Sequence, residues 1–259
     1  MSFGNRRLTT ILRAALEKQH YIALWNMYRY YPDFVENLKR YLTARGKYPY
    51  RIEVITPTGT ISPVLYSHDD LLTANEIFCR KDYVAGEKLK TVVDVGANIG
   101  LSALYFLTRN RSSRCYLFEP DPRNIDKLKA NLAGYEMRYF LREEAVSDVS
   151  GSVRFGIERS GRYGGIGVET GEYIKVPCTS INEVLREILA EEGAIDILKM
   201  DIEGLEVRTV KSIQADLLQR IGKIYIEAIP EERLHPAIFD QRQYGGICQL
   251  TNKLAKVGD

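Results

Sequence analysis

From about residue 85 onwards, segments with two different arrangements of hydrophobic residues alternate along the chain. Short continuous apolar runs, such as ILKM before Asp201, are typical of buried parallel strands. Apolar residues at helical spacing, such as Leu101, Leu104 and Tyr105, are typical of amphipathic helices. The pattern predicts strands at 91–95, 115–118, 139–141 running on through 144–146, 195–200 and 224–226, helices at 101–108, 122–132, 180–191 and 205–220, an irregular glycine-rich segment at 151–167 and a closing strand pair within 244–259. Such alternation implies an α/β fold with a mostly parallel sheet and helices on both faces.

The first 84 residues have a different pattern, which predicts a separate helical cap with a β-hairpin. The elements expected there are helices at 8–28, interrupted near His20, and at 32–46, a hairpin over 50–66 with its turn at Pro57-Thr58-Gly59, and a short helix capped by Asp69 or Asp70. Residues 85–259 would form the main domain.

Aromatic residues are frequent in the cap, and Ile22, Trp25 and Tyr28 continue one helical stripe. They could form an aromatic surface for a substrate or partner, or pack the cap against the main domain. Packing is favoured, because tyrosine commonly buries its ring and leaves its hydroxyl in water.

Charge and composition exclude several classes of protein. Lys and Arg number 36 against 34 Asp and Glu, so no field of one sign favours nucleic acid. No apolar run is long enough to span a bilayer and no secretory signal is recognisable, which predicts a cytoplasmic protein. The four cysteines are scattered, which favours reduced thiols and argues against zinc. Nothing indicates the oligomeric state.

The first predicted strand leads into a glycine turn, Gly96-Ala97-Asn98-Ile99-Gly100, at the start of a helix. Such a junction offers free backbone N–H groups to a ligand. The turn lacks the G-x-G-x-x-G of dinucleotide folds and the G-x-x-x-x-G-K-[ST] of P-loops. Asp94 before it would repel a pyrophosphate but would suit a cationic amine. These features favour S-adenosylmethionine, whose ammonium would lie near Asp94.

Two further acids follow predicted strands. Glu119 ends the second strand, where an acid usually accepts hydrogen bonds from ribose hydroxyls, although such an acid would serve NAD equally well. Glu144 follows the third strand and could face the adenine amino group, or it could be a plain solvated acid.

From about Asp69 to Glu227 the chain resembles the FkbM-type methyltransferases, through DLLTANEIFCRKDY, VVDVGANIGLSALYF, FEPDPRNIDKLKANL, AVSDVSGSV and ILKMDIEGLE. The resemblance implies a Rossmann-like class I methyltransferase fold that uses S-adenosylmethionine. It also implies roles for particular residues. Those matched to the cofactor are Asp94, Gly96, Asn98 and Gly100 in the turn, Glu119 on the ribose, Asp121 and Asn124 near the adenosine, and Tyr83, whose hydroxyl would close over the methionine end. Asn98 stands where such turns often have glycine, and asparagine tolerates the left-handed conformation.

Methyl transfer to a hydroxyl calls for a general base at the carboxyl end of a strand. Lys199, Asp201 and Glu203 would share one face if the strand stays extended, so Asp201 is the first candidate and Glu203 the second. Glu227 ends the next strand, and His235 is a further candidate because its pKa lies near neutrality. The three acids could also gather a divalent cation, but a metal is not predicted.

The function expected from the sequence is O-methylation, dependent on S-adenosylmethionine, of a sugar or another polyhydroxylated small molecule. The hydroxyl acceptor is implied mainly by the resemblance. The alternatives are an NAD-linked oxidoreductase and a non-catalytic module that binds S-adenosylmethionine. The segment 161–167 could be a lid that contacts substrate through Arg162 and Tyr163, or a loose hairpin tip.

Overall fold

The computed structural model describes residues 2–3, 6–7, 18–158 and 164–254. By their internal contacts the residues divide into two compact units, Met1–Val84 and Ala85–Asp259. Within the described ranges, no helix combines the length and the apolar character that crossing a bilayer requires.

Among its described residues, the N-terminal unit has short strands, three α-helices and one π-helix. They are β1 (Ser2–Phe3), β2 (Arg6–Arg7), α1 (Lys18–Tyr30), α2 (Phe34–Thr43), β3 (Tyr50–Arg51), β4 (Val54–Thr56), β5 (Gly59–Ile61), β6 (Val64–Leu65), α3 (His68–Ala74) and the π-helix Asn75–Arg80. The predicted hairpin is present, because β4 pairs with β5 and β3 pairs with β6, both antiparallel. Helix α1 continues through His20 without a break, while residues 8–17 of the predicted helix lie outside the described ranges.

Two expectations for this unit were wrong. Trp25 and Tyr28 are 61% and 64% exposed, and Met27 is buried instead, so the predicted stripe does not face a core. The cap of α3 is Ser67, not an aspartate. Its hydroxyl accepts from the Asp70 amide at 3.1 Å and the Asp70 carboxylate accepts from the Ser67 amide at 2.9 Å, which completes a capping box.

The C-terminal unit is organised around a seven-stranded sheet in the order β16-β17-β15-β14-β7-β8-β9. Its strands are β7 (Thr91–Val95), β8 (Arg114–Phe118), β9 (Tyr139–Arg142), β14 (Ile195–Met200), β15 (Ile221–Ile226), β16 (Phe239–Tyr244) and β17 (Ile247–Asn252). Only β17 runs against the others. It forms a closing hairpin with β16, but the pair begins at Phe239, ahead of the stretch 244–259 in which it was predicted. The chain builds β7, β8 and β9 to one side and β14 and β15 to the other. Strand order therefore reverses between β7 and β14, where open α/β sheets bind ligands.

Helices cover both faces of this sheet. They are α4 (Leu101–Leu107), α5 (Pro122–Asn131), α6 (Ile181–Glu192), α7 (Glu206–Ser212) and α8 (Ala215–Leu218), with a short 3₁₀ turn at Glu136–Arg138. Val93 packs in a core cluster with α6, α7 and α8. Its neighbour Asp94 points to the opposite face, where it accepts a hydrogen bond from Ser102 of α4. The α/β architecture with a mostly parallel sheet is confirmed.

A second sheet occupies the segment predicted to be irregular. It has the order β10-β13-β11-β12, formed by β10 (Ala145–Ser147), β11 (Gly151–Ile157), β12 (Gly164–Ile166) and β13 (Glu172–Ser180). The predicted continuation of the third strand through 144–146 is therefore wrong, because β9 and β10 belong to different sheets. Glycines at 151, 156, 164 and 165 obscure the alternation of Val153, Phe155 and Ile157, which the strand pairing restores.

The predicted helix at 205–220 is broken into α7 and α8. The Asn182 side chain of α6 donates to the Ser212 carbonyl at 2.9 Å and accepts from the Gln214 amide at 2.9 Å. These bonds take backbone groups that a continuous helix would use, so the break comes from a tertiary contact.

Candidate active site

The turn after β7 lies at the reversal of strand order and has three left-handed residues. Gly96, Asn98 and Gly100 have φ angles of 80°, 47° and 85°. The Gly96 and Ala97 amides donate to the Phe118 carbonyl at 3.0 and 3.1 Å, which holds the turn against the end of β8. A Cβ on residue 96 would lie 1.9 Å from the Asp201 carbonyl oxygen. Gly96 is therefore required both by its conformation and by the close approach of the backbone that follows β14.

Beneath the turn is a buried ion pair that joins β7 to β14. The Lys199 ammonium lies 2.9 Å from the Asp94 carboxylate, donates to the Gly96 carbonyl at 2.8 Å and is 3.8 Å from the Asp201 carboxylate. Burial would lower the pKa of Lys199, but the nearby carboxylates of Asp94 and Asp201 outweigh it and hold that pKa above its ordinary value. Lys199 is thus a permanent cation under the turn.

Asp94 contacts groups beneath the turn, and its predicted place near the cofactor ammonium stays a prediction. Its side chain is fully buried and is held by Lys199 and by the Ser102 hydroxyl, at 2.5 Å. It anchors the base of the turn and is absent from the described lining of the cleft above. Gly100 likewise acts from below, as the residue that begins α4.

A cleft opens above the turn. The described residues that line it are Val95, Gly96, Asn98, Phe118, Glu119, Pro120, Asp121, Asn124, Glu144, Ala145, Val146, Phe155, Gly164, Ile166, Asp201, Ile202, Glu203 and Leu205. It contains most of the residues predicted from the sequence to meet the cofactor. Five of these lining residues are acidic, and none is lysine or arginine.

Glu119, at the end of β8, is a deeply buried acid of this lining. Its carboxylate accepts from the Asn98 amide at 2.8 Å and from the Asp121 amide at 2.9 Å. Burial raises the pKa of Glu119 to about 7, although both backbone donors act in the opposite direction. A buried carboxylate of this kind gains stability from a ligand that brings additional hydroxyl donors.

Asp121 and Asn124 both line the cleft. The contacts that Asp121 makes within the protein are structural. It caps α5, accepting from the Arg123 amide at 3.0 Å, and its carboxylate pairs with the Arg123 guanidinium at 2.6 Å. Arg123 also donates to the Glu158 carbonyl at 2.8 Å. The pair therefore ties the start of α5 to the segment after β11.

Glu144 lies at the far end of the cleft. Its carboxylate pairs with Arg142 at 2.6 Å and accepts from the Thr179 hydroxyl at 3.0 Å. Reasoning from the sequence missed the apolar residues beside it, Phe155 of β11 and Ile166 of β12. The alternation of apolar residues in SVRFGI was the available signal, and the surrounding glycines obscured it.

The carboxyl end of β14 differs from the extended segment that was expected. The strand ends at Met200, and Glu203 has a φ of 54°, so Lys199, Asp201 and Glu203 do not share one extended face. The loop is held by the buried carboxylate of Glu206, which accepts from the Ile202 and Gly204 amides at 2.8 and 2.9 Å. Asp201 and Glu203 nevertheless both reach the cleft.

The remaining predicted residues lie elsewhere. Glu227 follows β15 beside the end of β14, where its amide donates to the Met200 carbonyl at 3.3 Å, but it is not among the described lining residues. The His235 ring bonds to the Val210 carbonyl of α7 at 2.9 Å, which fits a packing role better than that of a base. Tyr83 belongs to the N-terminal unit and is buried.

Two further expectations concern a lid and a metal. Arg162 and Tyr163 lie outside the described residues. Among the residues that are described, no group of three histidine, cysteine, aspartate or glutamate side chains is arranged to hold a metal ion.

The strand order, the reversed β17 and an acid-lined cleft over a glycine turn define a Rossmann-like domain of the class I methyltransferase type. The sequence model described as the Methyltransferase FkbM domain matches residues 94–249. The chain belongs to the FkbM methyltransferase family, as the sequence motifs had indicated.

Individual relatives are more distant. Methyltransferase sdnD of Sordaria araneosa is 26% identical, in an alignment covering 57% of this chain and 69% of that protein. Among solved structures, the crystal structure of methyltransferase FkbM from Methylobacillus flagellatus matches with 16% sequence identity and a TM-score of 0.46. The match covers 94% of this chain but only 60% of that one. An rRNA methylase from Streptococcus thermophilus is 11% identical with a TM-score of 0.39, covering 71% and 95% of the two chains.

The contact between Gly96 and Asp201 can be tested with a matched pair of glycines. Gly134 has a similar φ of 91° but has open space where a Cβ would lie. We expect Gly134→Ala to lower the free energy of unfolding by about 1–2 kcal/mol, the cost of the left-handed conformation alone. Gly96→Ala should cost clearly more, because it also displaces the Asp201 carbonyl. Equal losses in urea denaturation would contradict the proposed backbone contact.

Proposed function

We propose that this protein is an S-adenosylmethionine-dependent methyltransferase that acts on a hydroxyl group of a sugar or another polyhydroxylated small molecule. The observation that carries the proposal is the charge of the cleft. Its described lining has five carboxylic acids and no lysine or arginine, above a turn that presents backbone rather than side chains. S-adenosylmethionine fits such a cleft because it has a ribose and two positive centres but no phosphate.

The same charge pattern argues against the NAD-linked alternative. A dinucleotide would place a pyrophosphate near Glu119 and Asp201, where no cation lines the described cleft to offset the repulsion. The positive charge of Lys199 is buried and already shared between Asp94 and Asp201. The pattern also disfavours a polynucleotide acceptor, whose phosphates would have to approach these acids.

Particular residues would hold the cofactor. Glu119 would accept hydrogen bonds from the ribose hydroxyls, while Asn124 and Glu144 would border the adenosine beside Phe155. Gly96, at the turn, would let the methionine part approach the main chain closely. When bound, S-adenosylmethionine supplies an electrophilic methyl group.

The residues after β14 would serve the acceptor. Asp201 is partly open to the cleft and is positioned from below by Lys199, so it is the first candidate to take the proton of the acceptor hydroxyl. Glu203 is the second, because its left-handed backbone turns it into the same cleft. Glu227, at the end of the adjacent strand, would border the acceptor.

Calorimetry with S-adenosylhomocysteine and with NAD separates the two enzyme classes. We expect saturable heat with S-adenosylhomocysteine and none with NAD, because only the former lacks a pyrophosphate. Binding of NAD without binding of S-adenosylhomocysteine would overturn the proposal.

Mass analysis of products from a panel of hydroxylated acceptors separates an enzyme from a binding module. Only an enzyme increases the mass of an acceptor by one methylene.

Glu119 should make cofactor binding dependent on pH. Without ligand its pKa of about 7 lies above the unfolded value, so its contribution to folding is full below the unfolded pKa and is lost as pH rises through about 7. Ribose hydroxyls stabilise the carboxylate, so binding releases a proton and should strengthen as pH rises through the same range.

Glu119→Gln tests this dependence. The variant should bind S-adenosylhomocysteine roughly 10- to 100-fold more weakly at pH 8, because a hydrogen bond to a charged group is lost, and its affinity should no longer rise with pH. Glu143→Gln is the control, since that acid pairs with Lys129 on the surface. A flat pH profile for the unmodified protein would contradict the role of Glu119.

Asp201→Asn should lower turnover by about 100-fold or more, because the amide cannot accept the proton. It should leave the affinity for S-adenosylhomocysteine nearly unchanged, since the isosteric side chain preserves the turn. Glu203→Gln is measured alongside, and the loss of turnover in the two variants shows which acid matters more. Adding a chelator to the same assay reports whether a divalent cation takes part. Full activity of Asp201→Asn would remove Asp201 from the role of base.

A further inference from the structure

The N-terminal unit contains a cavity of about 160 Å³. Its described lining residues are Ala23, Met27, Tyr41, Leu72, Asn75, Glu76 and Arg80. One ordered water needs only about 15 Å³, so the space can take a small organic molecule. All of its described lining residues belong to this unit, and none of them takes part in the proposed methyl transfer.

The side chain of Asn75 in the cavity wall is buried without a hydrogen-bond partner in the part of the chain that the structure describes, which indicates a ligand. The residue is 4% exposed, and neither Oδ1 nor Nδ2 of its side chain has a hydrogen-bond partner among the described residues. Its backbone N–H, by contrast, donates to the carbonyls of Leu71 and Leu72. Buried amides are nearly always hydrogen-bonded, and one that is not is unfavourable unless something in the cavity binds it.

The backbone around Asn75 is also unusual. Helix α3 does not continue as an α-helix but passes into the π-helix Asn75–Arg80, a rare form that often marks functional sites. This segment supplies Asn75, Glu76 and Arg80 to the wall. It is tied to α1 by the Asn26 side chain, which donates to the Cys79 carbonyl at 2.6 Å. The wall is therefore a defined surface rather than a loose gap.

The charges near the cavity limit what it can bind. Arg80 donates through Nε to Asp82 at 2.6 Å, and its Nη2 is 3.3 Å from Glu76. Two carboxylates thus surround one guanidinium, which disfavours an anion. A cationic amine would leave the Nδ2 donor of Asn75 without an acceptor. An uncharged group with an adjacent donor and acceptor satisfies both ends of the carboxamide.

We propose that this cavity is a second small-molecule site, and that it takes an uncharged ligand with an apolar body and a carboxamide-like edge that pairs with the Asn75 side chain. The apolar body would contact Ala23, Met27 and Leu72. The proposal is independent of the methyltransferase assignment, because no residue of the cleft takes part.

Three probes of similar shape test the proposal on the full chain: isobutyramide, isobutyrate and isobutylamine. Binding is followed through the side-chain NH₂ resonances of Asn75 in ¹⁵N–¹H spectra, assigned by their loss in Asn75→Leu. We expect saturable shifts with isobutyramide, with a dissociation constant roughly in the millimolar range for so small a molecule. Isobutyrate and isobutylamine should bind at least about 10-fold more weakly, since each satisfies one end of the carboxamide only.

Ala23→Leu provides the decisive variant, because it fills the cavity while keeping Asn75. It should abolish the isobutyramide shifts, whereas Val35→Leu, at a position 75% exposed, should retain them. Circular dichroism checks that both variants are folded, and if Ala23→Leu does not fold, Leu72→Phe replaces it. Each of three results would overturn the proposal: no saturable shifts in the unmodified protein, which leaves the cavity to water; undiminished binding in the filled variant, which places the probe elsewhere; or tighter binding of either charged probe, which contradicts the uncharged class of ligand.

Discussion

The buried ammonium of Lys199 is the contact on which the rest of the site depends. It joins Asp94 of β7, the carbonyl of Gly96 in the turn that follows, and the carboxylate of Asp201 just after β14. A buried charge is tolerated only when it is paired and hydrogen-bonded, and here one cation serves two carboxylates. The turn and the proposed base are therefore positioned by the same group.

This arrangement also explains why an acid-lined cleft can be stable. Glu119 is stabilised by two backbone amides, Glu144 by Arg142 and Thr179, and Asp201 by Lys199. In each case the partner lies at or behind the wall rather than in the cleft. The acids keep their capacity to accept hydrogen bonds from a ligand, and no cation remains at the surface of the described cleft to attract phosphate.

The strands and the glycine turn follow from local sequence, whereas the helix break and the loop after β14 depend on contacts between distant residues. Strands β7 and β14 were predicted to the residue, because continuous apolar runs bounded by glycine or acid leave little choice. The left-handed Asn98 was also expected. By contrast, the break between α7 and α8 comes from Asn182, some thirty positions earlier, which no local pattern shows. The left-handed Glu203 is equally invisible, since glutamate rarely adopts that conformation and the Glu206 carboxylate holds its loop.

The cleft therefore has two parts with different physical origins. Its floor is made of the Gly96 turn and the ends of β7, β8 and β14. At Gly96 the close approach of the Asp201 carbonyl leaves no room for a side chain. Its far wall belongs to the second sheet, in which Phe155 and Ile166 are paired on the antiparallel strands β11 and β12 and line the cleft. Substitutions in that wall can alter which ligand fits without disturbing the turn. The selectivity of the cleft can therefore change through the second sheet, while the residues proposed for the chemistry remain in the floor.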